Sequence, residues 1–528
     1  MNHLSAAAIK PLLSDGAEIA FLDLREPGQY GEGHPFFAVN LPYSRVEVLA
    51  PALIPRRSVR AVLFDDGDGV AEKAAARLAG LGYADLTIMR GGAPAWAAAG
   101  FTLFKGVNLP SKTFGELVEH EMHTPSIAAA ELKALQEAGA DLVLLDGRTP
   151  EEFARMTIPG ARSCPNAELG YRLPALGLGP RTRIVVNCAG RTRSIIGAQT
   201  LRNLGVPHEV VALRNGTQGW ELAGFALARG NTPAALPIPD GRAREAARDT
   251  ARGLIAGSGL TLLDRAALAR QRADGGRTLY LFDVRTAQEF AAAHVPGAVH
   301  APGGQLVQAT DQWVAVRNAL IVLSDDTGLR TATTALWLRG MGHRVAILDA
   351  DASRDEPAPP VAAPPPPVLP RVPPTEVAAR LAAGAALIDL SPSMAYRAAH
   401  IAGARWAIRP RLDRLDLAGA PEILLAARDP AVAEAAARDL AEMHGLSVSL
   451  VSGGPEQWRA AGLEVTATPD DPPDADCIDY LFFTHDRHSG NFAAARTYLD
   501  WETGLAAQLD PQERAALRPE LSTPAGAA

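Results

Sequence analysis

IVVNCAGRTRSIIGAQTLRNLG, residues 184–205, is the stretch from which the fold is read. An apolar run, IVVN, ends in a six-residue loop, Cys188-Ala189-Gly190-Arg191-Thr192-Arg193. Apolar residues then recur at helical spacing from Ser194 and stop at Gly205, a common helix terminator. Strand, loop and helix in this order build a parallel sheet covered by helices. A cysteine at the C-terminal end of such a strand, facing a helix N-terminus, sits where substrates bind in these sheets. The loop amides make a cradle for an anion. The helix dipole adds partial positive charge worth about 0.3–1 kcal/mol, and Arg191 and Arg193 add two full charges. All of these favour thiolate over thiol. A fall in pKa from ~8.5 to ~6.5 would raise the thiolate fraction at pH 7 from roughly 3% to roughly 75%. Gly190 lets the backbone turn tightly.

The same unit occurs four times. A strand ends near an acid in FLDLREPGQY (21–30), LLDGRTPEEF (144–153), LFDVRTAQEF (281–290) and LIDLSPSMAY (387–396). A second strand and a helix follow each, and aligning the helices makes Asp65, Cys188, Asp325 and Ala427 equivalent. Three copies close on a turn and a tryptophan: MRGGAPAW (89–96), LRNGTQGW (213–220) and VSGGPEQW (451–458). The third copy instead runs into prolines. The expected architecture is α/β. It has four tandem domains over 1–107, 123–230, 258–353 and 371–468, each a parallel sheet flanked by helices, and a C-terminal tail over 469–528. Residues 354–374 read as a stiff proline-rich spacer, and 231–257 as a region holding a connecting helix. A helical stretch at 491–509 is expected to pack on a domain surface, covering Phe492, Tyr498, Leu499 and Trp501.

Composition narrows the function. A chain of 528 residues suggests three to five domains. A net charge of −8 argues against a general nucleic-acid coat. Three cysteines, Cys164, Cys188 and Cys477, exclude a disulfide framework and a four-thiolate zinc site within one chain. They fit a reducing compartment. No apolar run approaches the ~20 residues that span a bilayer, and the N-terminus has no signal-peptide pattern. The expectation is a cytoplasmic protein without membrane or nucleic-acid partner, without cofactor and without metal.

The Asp-x-Arg strand ends, the IPGA turn (158–161), the CAGRTRS loop and the NGTQGW ending together resemble the rhodanese (thiosulfate sulfurtransferase) family. The resemblance covers nearly the whole chain and is strongest over 141–225. It implies that Cys188 takes a sulfane sulfur from a donor such as thiosulfate, carries it as a persulfide and passes it to cyanide or a thiol. Ala189, Gly190, Arg191, Thr192 and Arg193 would bind the substrate. Related phosphatases and arsenate reductases have a loop one residue longer. The basic loop favours an anionic donor such as thiosulfate over 3-mercaptopyruvate. One alternative is a persulfide carrier or scaffold for a protein partner; another, disfavoured by the short loop, is a cysteine-dependent phosphatase or arsenate reductase.

The other three copies lack the nucleophile and are expected to be inactive, as scaffold or docking units. Asp65 and Asp325 put negative charge where an anion would bind. The pairs Asp23/Arg25, Asp146/Arg148 and Asp283/Arg285 persist without a nucleophile, so they read as structural, as do Trp96, Trp220 and Trp458. Cys164 reads as a small buried residue rather than a resolving thiol. In the tail, His485, Asp486 and His488 read as turn and cap chemistry rather than a metal site.

Overall fold

The computed structural model of the chain describes residues 2–353 and 369–523. Four sheets share one strand order. In the second unit Ser126–Ile127 lies beside Val210–Leu213, then Arg183–Asn187, Leu142–Asp146 and Arg162–Ser163, all parallel. Numbered along the chain, the order is 1-5-4-2-3. The third and fourth sheets repeat it, and so does the first, where Val39–Asn40 pairs with Ile19–Asp23. Each sheet thus has two short strands beyond the three read from sequence. Strands of two residues carry no periodic signal.

The helices follow the sequence with two adjustments. The helix after Cys188 begins at Thr192, not Ser194. The carboxylate of Glu502 accepts from Thr192 Oγ1 at 2.7 Å, setting negative charge at the helix N-terminus. The connecting helix is Gly241–Ser258, capped by Asp240. The spacer read over 354–374 ends early. Residues 354–368 lie outside the described residues, but Arg371–Val372 is the outer strand of the fourth sheet, where proline neighbours are tolerated.

The units are not beads on a string. Val316–Arg317 of the third unit pairs antiparallel with Ile19–Ala20 and joins the first unit's sheet. One hydrophobic core runs through both units and takes in Phe114 and Val118 of the helix Leu109–Glu121. Arg330 of the third unit is fully buried and binds Glu168 of the second. Arg409 of the fourth binds Glu47 of the first. The tail crosses this assembly. Its helix Phe492–Thr503 buries Tyr498 and Leu499 as expected but leaves Phe492 44% exposed. Further on, Glu513 pairs with Lys10.

Asp-x-Arg is structural in all three copies. The arginine grips the aspartate two residues back and donates to a carbonyl eight residues on: Arg25 to Gly33, Arg148 to Met156, Arg285 to Ala293. The tryptophans are buried anchors whose indole N–H groups donate to the carbonyls of Thr102, Ala226 and Ser452.

Candidate active site

Asp65, Cys188, Asp325 and Ala427 each occupy the first position after the fourth strand of their sheets. What the loop does with that position differs. In the first unit the Asp65 carboxylate accepts from the amides of Gly67, Gly69 and Ala71 at 2.8–3.0 Å. In the third, Asp325 accepts from the amides of Gly328 and Arg330 at 2.6 and 3.2 Å. The side chain fills its own anion cradle. The fourth unit has no polar group there, and Asp429 caps the helix instead.

In the second unit the cradle faces sulfur. Cys188 Sγ lies 3.7 Å from Ser194 Oγ. The loop is pinned from behind. Thr217 N donates to Cys188 O at 2.8 Å and Gln218 N to Ala189 O at 3.0 Å. Gly216, at φ +51°, allows that approach, since a Cβ there would stand 2.2 Å from Cys188 O. Cys188 is 2% exposed. Burial pushes its thiol up, against the pull of the Arg193 charge and Ser194. The expectation of a lowered pKa is therefore corrected: desolvation of the thiolate outweighs the neighbouring cation.

Both loop arginines are engaged. Arg191 is held by Glu116 at 2.7 Å and by Glu119, on the helix Leu109–Glu121. Arg191, read from sequence as a substrate-binding residue, thus meets the cavity as a paired cation, held by two carboxylates one turn apart. Arg193 makes a bidentate pair with Glu152 at 2.6 and 2.7 Å. Glu152 is also the third residue of the capping box opened by Thr149. The third unit repeats this, with Thr286, Glu289 and Arg330 in the same relation. The arginine thus locks the neighbouring helix onto the loop even where no nucleophile exists.

A cavity of about 280 Å³ opens over Cys188. Ala189, Gly190, Arg191, Thr192 and Arg193 all line it, but other units complete its walls. The third unit supplies Gln305, Gln308 and Gln312. Lys112 comes from the helix Leu109–Glu121, and the tail supplies Arg487, His488, Tyr498 and Glu502. Lys112 Nζ donates to Val107 O at 2.6 Å and lies 4.6 Å from the Trp501 ring centre. Burial pulls its pKa down to about 8, with Glu502 opposing. Arg487 stacks over Tyr498 at 4.3 Å. Among the described residues neither cation makes an ion pair, so they are the cavity's uncommitted positive charges. Burial pulls His488 down to about 3, leaving it neutral at pH 7. Glu502 is 1% exposed. Its Oε1 holds Thr192, while Oε2 is buried with no hydrogen-bond partner among the described residues. A Cβ on Gly190 would lie 3.1 Å from that oxygen.

Reasoning from one repeat did not find Lys112, Arg487, Tyr498 or Glu502. Only the cluster of aromatic residues in the tail hinted at a buried role. Among the described residues no group of three or more His, Cys, Asp or Glu could hold a metal ion. Cys164 packs with Val143, Leu145, Leu169 and Val186 in the sheet core, and burial pushes its thiol well up. No helix among the described residues is long and apolar enough to cross a membrane.

The family profile of the rhodanese-like domain matches residues 5–99, 128–223 and 265–353. Among solved structures, a thiosulfate sulfurtransferase from Pseudomonas aeruginosa is 41% identical, covering 98% of this chain and 99% of that chain, with a TM-score of 0.88. A rhodanese-like domain from Anabaena is 22% identical over 20% of this chain and 80% of that chain, with a TM-score of 0.19. No curated protein matches the chain.

Proposed function

Because this chain belongs to the rhodanese family, we propose that it is a sulfurtransferase working through a Cys188 persulfide, with thiosulfate or a related anionic persulfide as donor. One observation carries this reading. Of four equivalent strand ends, only the second bears a thiol, and that thiol opens onto a cationic cavity. Two of the other three hold a carboxylate inside the cradle, which leaves no room for a substrate anion and supports their inactivity.

In the first step Cys188, its proton lost to solvent, attacks as thiolate the outer sulfur of thiosulfate. The S–S bond breaks and its electron pair leaves with sulfite. Lys112 and Arg487 hold the departing charge. Ser194, through its hydroxyl and its amide, stabilises negative sulfur, as the Ala71 amide at the same offset stabilises Asp65. In the second step an acceptor attacks the outer persulfide sulfur and returns the Cys188 thiolate. When the acceptor is a thiol, Glu502 Oε2 accepts its proton as the new S–S bond forms. Cyanide takes the sulfur as thiocyanate.

The walls contributed by the tail and the third unit favour a small acceptor over a protein one, since Cys188 is 2% exposed. The free thiols fit a reducing, cytoplasmic setting. Intact-mass measurement tests the reading. Thiosulfate alone should add about 32 Da, one sulfur, to the chain, and a thiol or cyanide should remove it. Cys188→Ser should show neither. Turnover retained by Cys188→Ser would sink the assignment.

A further inference from the structure

We propose that the chain has a second ligand site, a cavity between the first and third units that binds a small organic ammonium ion with a flat apolar body. The cavity measures about 740 Å³, against about 280 Å³ over Cys188. Leu49 and Leu53 enter it from the first unit, and Tyr280, Phe282 and Trp313 from the third. Val107 and Asn108, just before the helix Leu109–Glu121, complete the wall.

Three rings set the apolar part of the ligand. Tyr280 and Phe282 project from one face of the strand Leu279–Asp283 and stack at 5.8 Å. Trp313 meets Phe282 edge-on at 6.1 Å and continues their wall. The Tyr280 hydroxyl is already committed. It donates to Leu53 O at 2.6 Å and accepts from the Val316 amide at 3.2 Å. What remains for a ligand is ring surface, which suits flat apolar groups and attracts cations.

Polar recognition falls to Asp311 and Asn108. Arg45 and Asp311 are the charged side chains on the cavity wall among the described residues. Arg45 pairs with Asp429 at 3.1 Å. Asp311 makes no ion pair among the described residues, and its Oδ1 is buried with no hydrogen-bond partner there. Burial pushes this carboxyl up to about 6, against the pull of nearby backbone amides and of the Lys112 charge, so it is ionised at neutral pH. Asn108 Oδ1 is likewise buried and unpartnered. Asn40, also on the wall, is committed to the carbonyls of Asp23 and Arg25. Both uncommitted groups are acceptors, so the ligand must donate. One of them is a carboxylate without a counter-ion, which a protein ordinarily pairs, so the donor is a cation.

This cavity meets the catalytic one at Val107, Asn108 and Gln312, which line both, whereas Cys188 and Lys112 line only the catalytic one. Lys112 is anchored on that side, its Nζ donating to Val107 O at 2.6 Å. An amine against the aromatic wall and an anionic sulfur donor beside Lys112 can therefore be bound together.

The test is calorimetric titration of the full-length chain carrying Cys188→Ser with tryptamine, with tryptophol as its neutral analogue and indoleacetate as its anionic one. Tryptamine should bind saturably and more tightly than either analogue, and saturating thiosulfate should not displace it. Asp311→Asn should weaken it by about tenfold or more, the loss of a charge-assisted hydrogen bond. Val299→Lys should weaken it too. Val299 lines the cavity and is 50% exposed, so the exchange spares the core while setting a like charge beside the ammonium ion. Glu502→Gln, which alters the unpartnered carboxylate of the catalytic cavity, should leave the affinity unchanged. Three results would overturn the proposal: no saturable binding at millimolar tryptamine, tryptophol binding as tightly as tryptamine, or a loss in Glu502→Gln with none in Asp311→Asn and Val299→Lys, which would put the amine over Cys188.

Discussion

Gly216 and Gly92 offer a matched pair of perturbations. Both sit at positive φ, +51° and +57°. A Cβ on Gly216 would stand 2.2 Å from Cys188 O and 2.7 Å from Cys188 C; one on Gly92 would stand 2.1 Å from Asp65 O and 2.7 Å from Asp65 C. These neighbours are backbone and cannot rotate away. The left-handed conformation costs an alanine about 1–2 kcal/mol and the overpacking about 1–3 kcal/mol. Each variant should therefore lose about 2–5 kcal/mol of stability. To reach ordinary contact the Cys188 loop must retreat by about 1.2 Å, and displacement of that order in an active site costs roughly 100-fold in rate. Gly216→Ala should thus lower kcat about 100-fold. Gly92→Ala should unfold at similarly reduced urea and keep near-native kcat, because its loop holds only Asp65. The assays are urea unfolding by circular dichroism and thiosulfate-to-cyanide turnover at saturating donor. Equal loss of kcat in both variants, or full kcat in Gly216→Ala, would refute the claim that chemistry is confined to the second loop.

Two further outcomes follow from the cavity walls. Lys112 titrates near 8 rather than its ordinary 10.5 because burial disfavours its charge. Since the folded value lies below the unfolded one, the fold gains stability from this group as pH rises from about 8 to 10.5, while the cavity loses a cation. KM for thiosulfate should therefore climb above pH 8, and Lys112→Arg, which stays charged, should flatten that limb through pH ~10. Glu502→Gln removes the proton acceptor while keeping the shape. Its kcat/KM for an alkyl thiol of ordinary pKa should fall about 100-fold. A thiol acidic enough to be ionised at the assay pH should show little change, and equal falls for both would assign Glu502 a structural role.

The fourfold repeat and its strand–loop–helix order were legible because each copy spans a few dozen contiguous residues with strong periodicity. The alignment of Asp65, Cys188, Asp325 and Ala427 also holds in space, since each follows the same strand. The charges of the site were harder to read. Arg191 looks available until Glu116 and Glu119, on a helix between two repeats, are seen to grip it. Lys112 belongs to the same helix, which has no counterpart in the repeat pattern. Glu502 lies 310 residues from Thr192, its hydrogen-bond partner. A local pattern reports the element a residue sits in, but not which distant segment the packed units bring against it. The thiol's raised pKa has the same origin, because burial of Cys188 is a property of the whole assembly.

The strand Val316–Arg317, lying along Ile19–Ala20, bears on how the chain emerges from the ribosome. Translation at about 5–20 residues per second puts some 15–60 s between the synthesis of the two partners. Through that interval part of Ile19–Asp23 offers unpaired amides and carbonyls, the kind of edge on which other chains pair. The N-terminal unit, made first, is thus among the last to be completed. Its vulnerable period is set by the time needed to translate the second unit and most of the third.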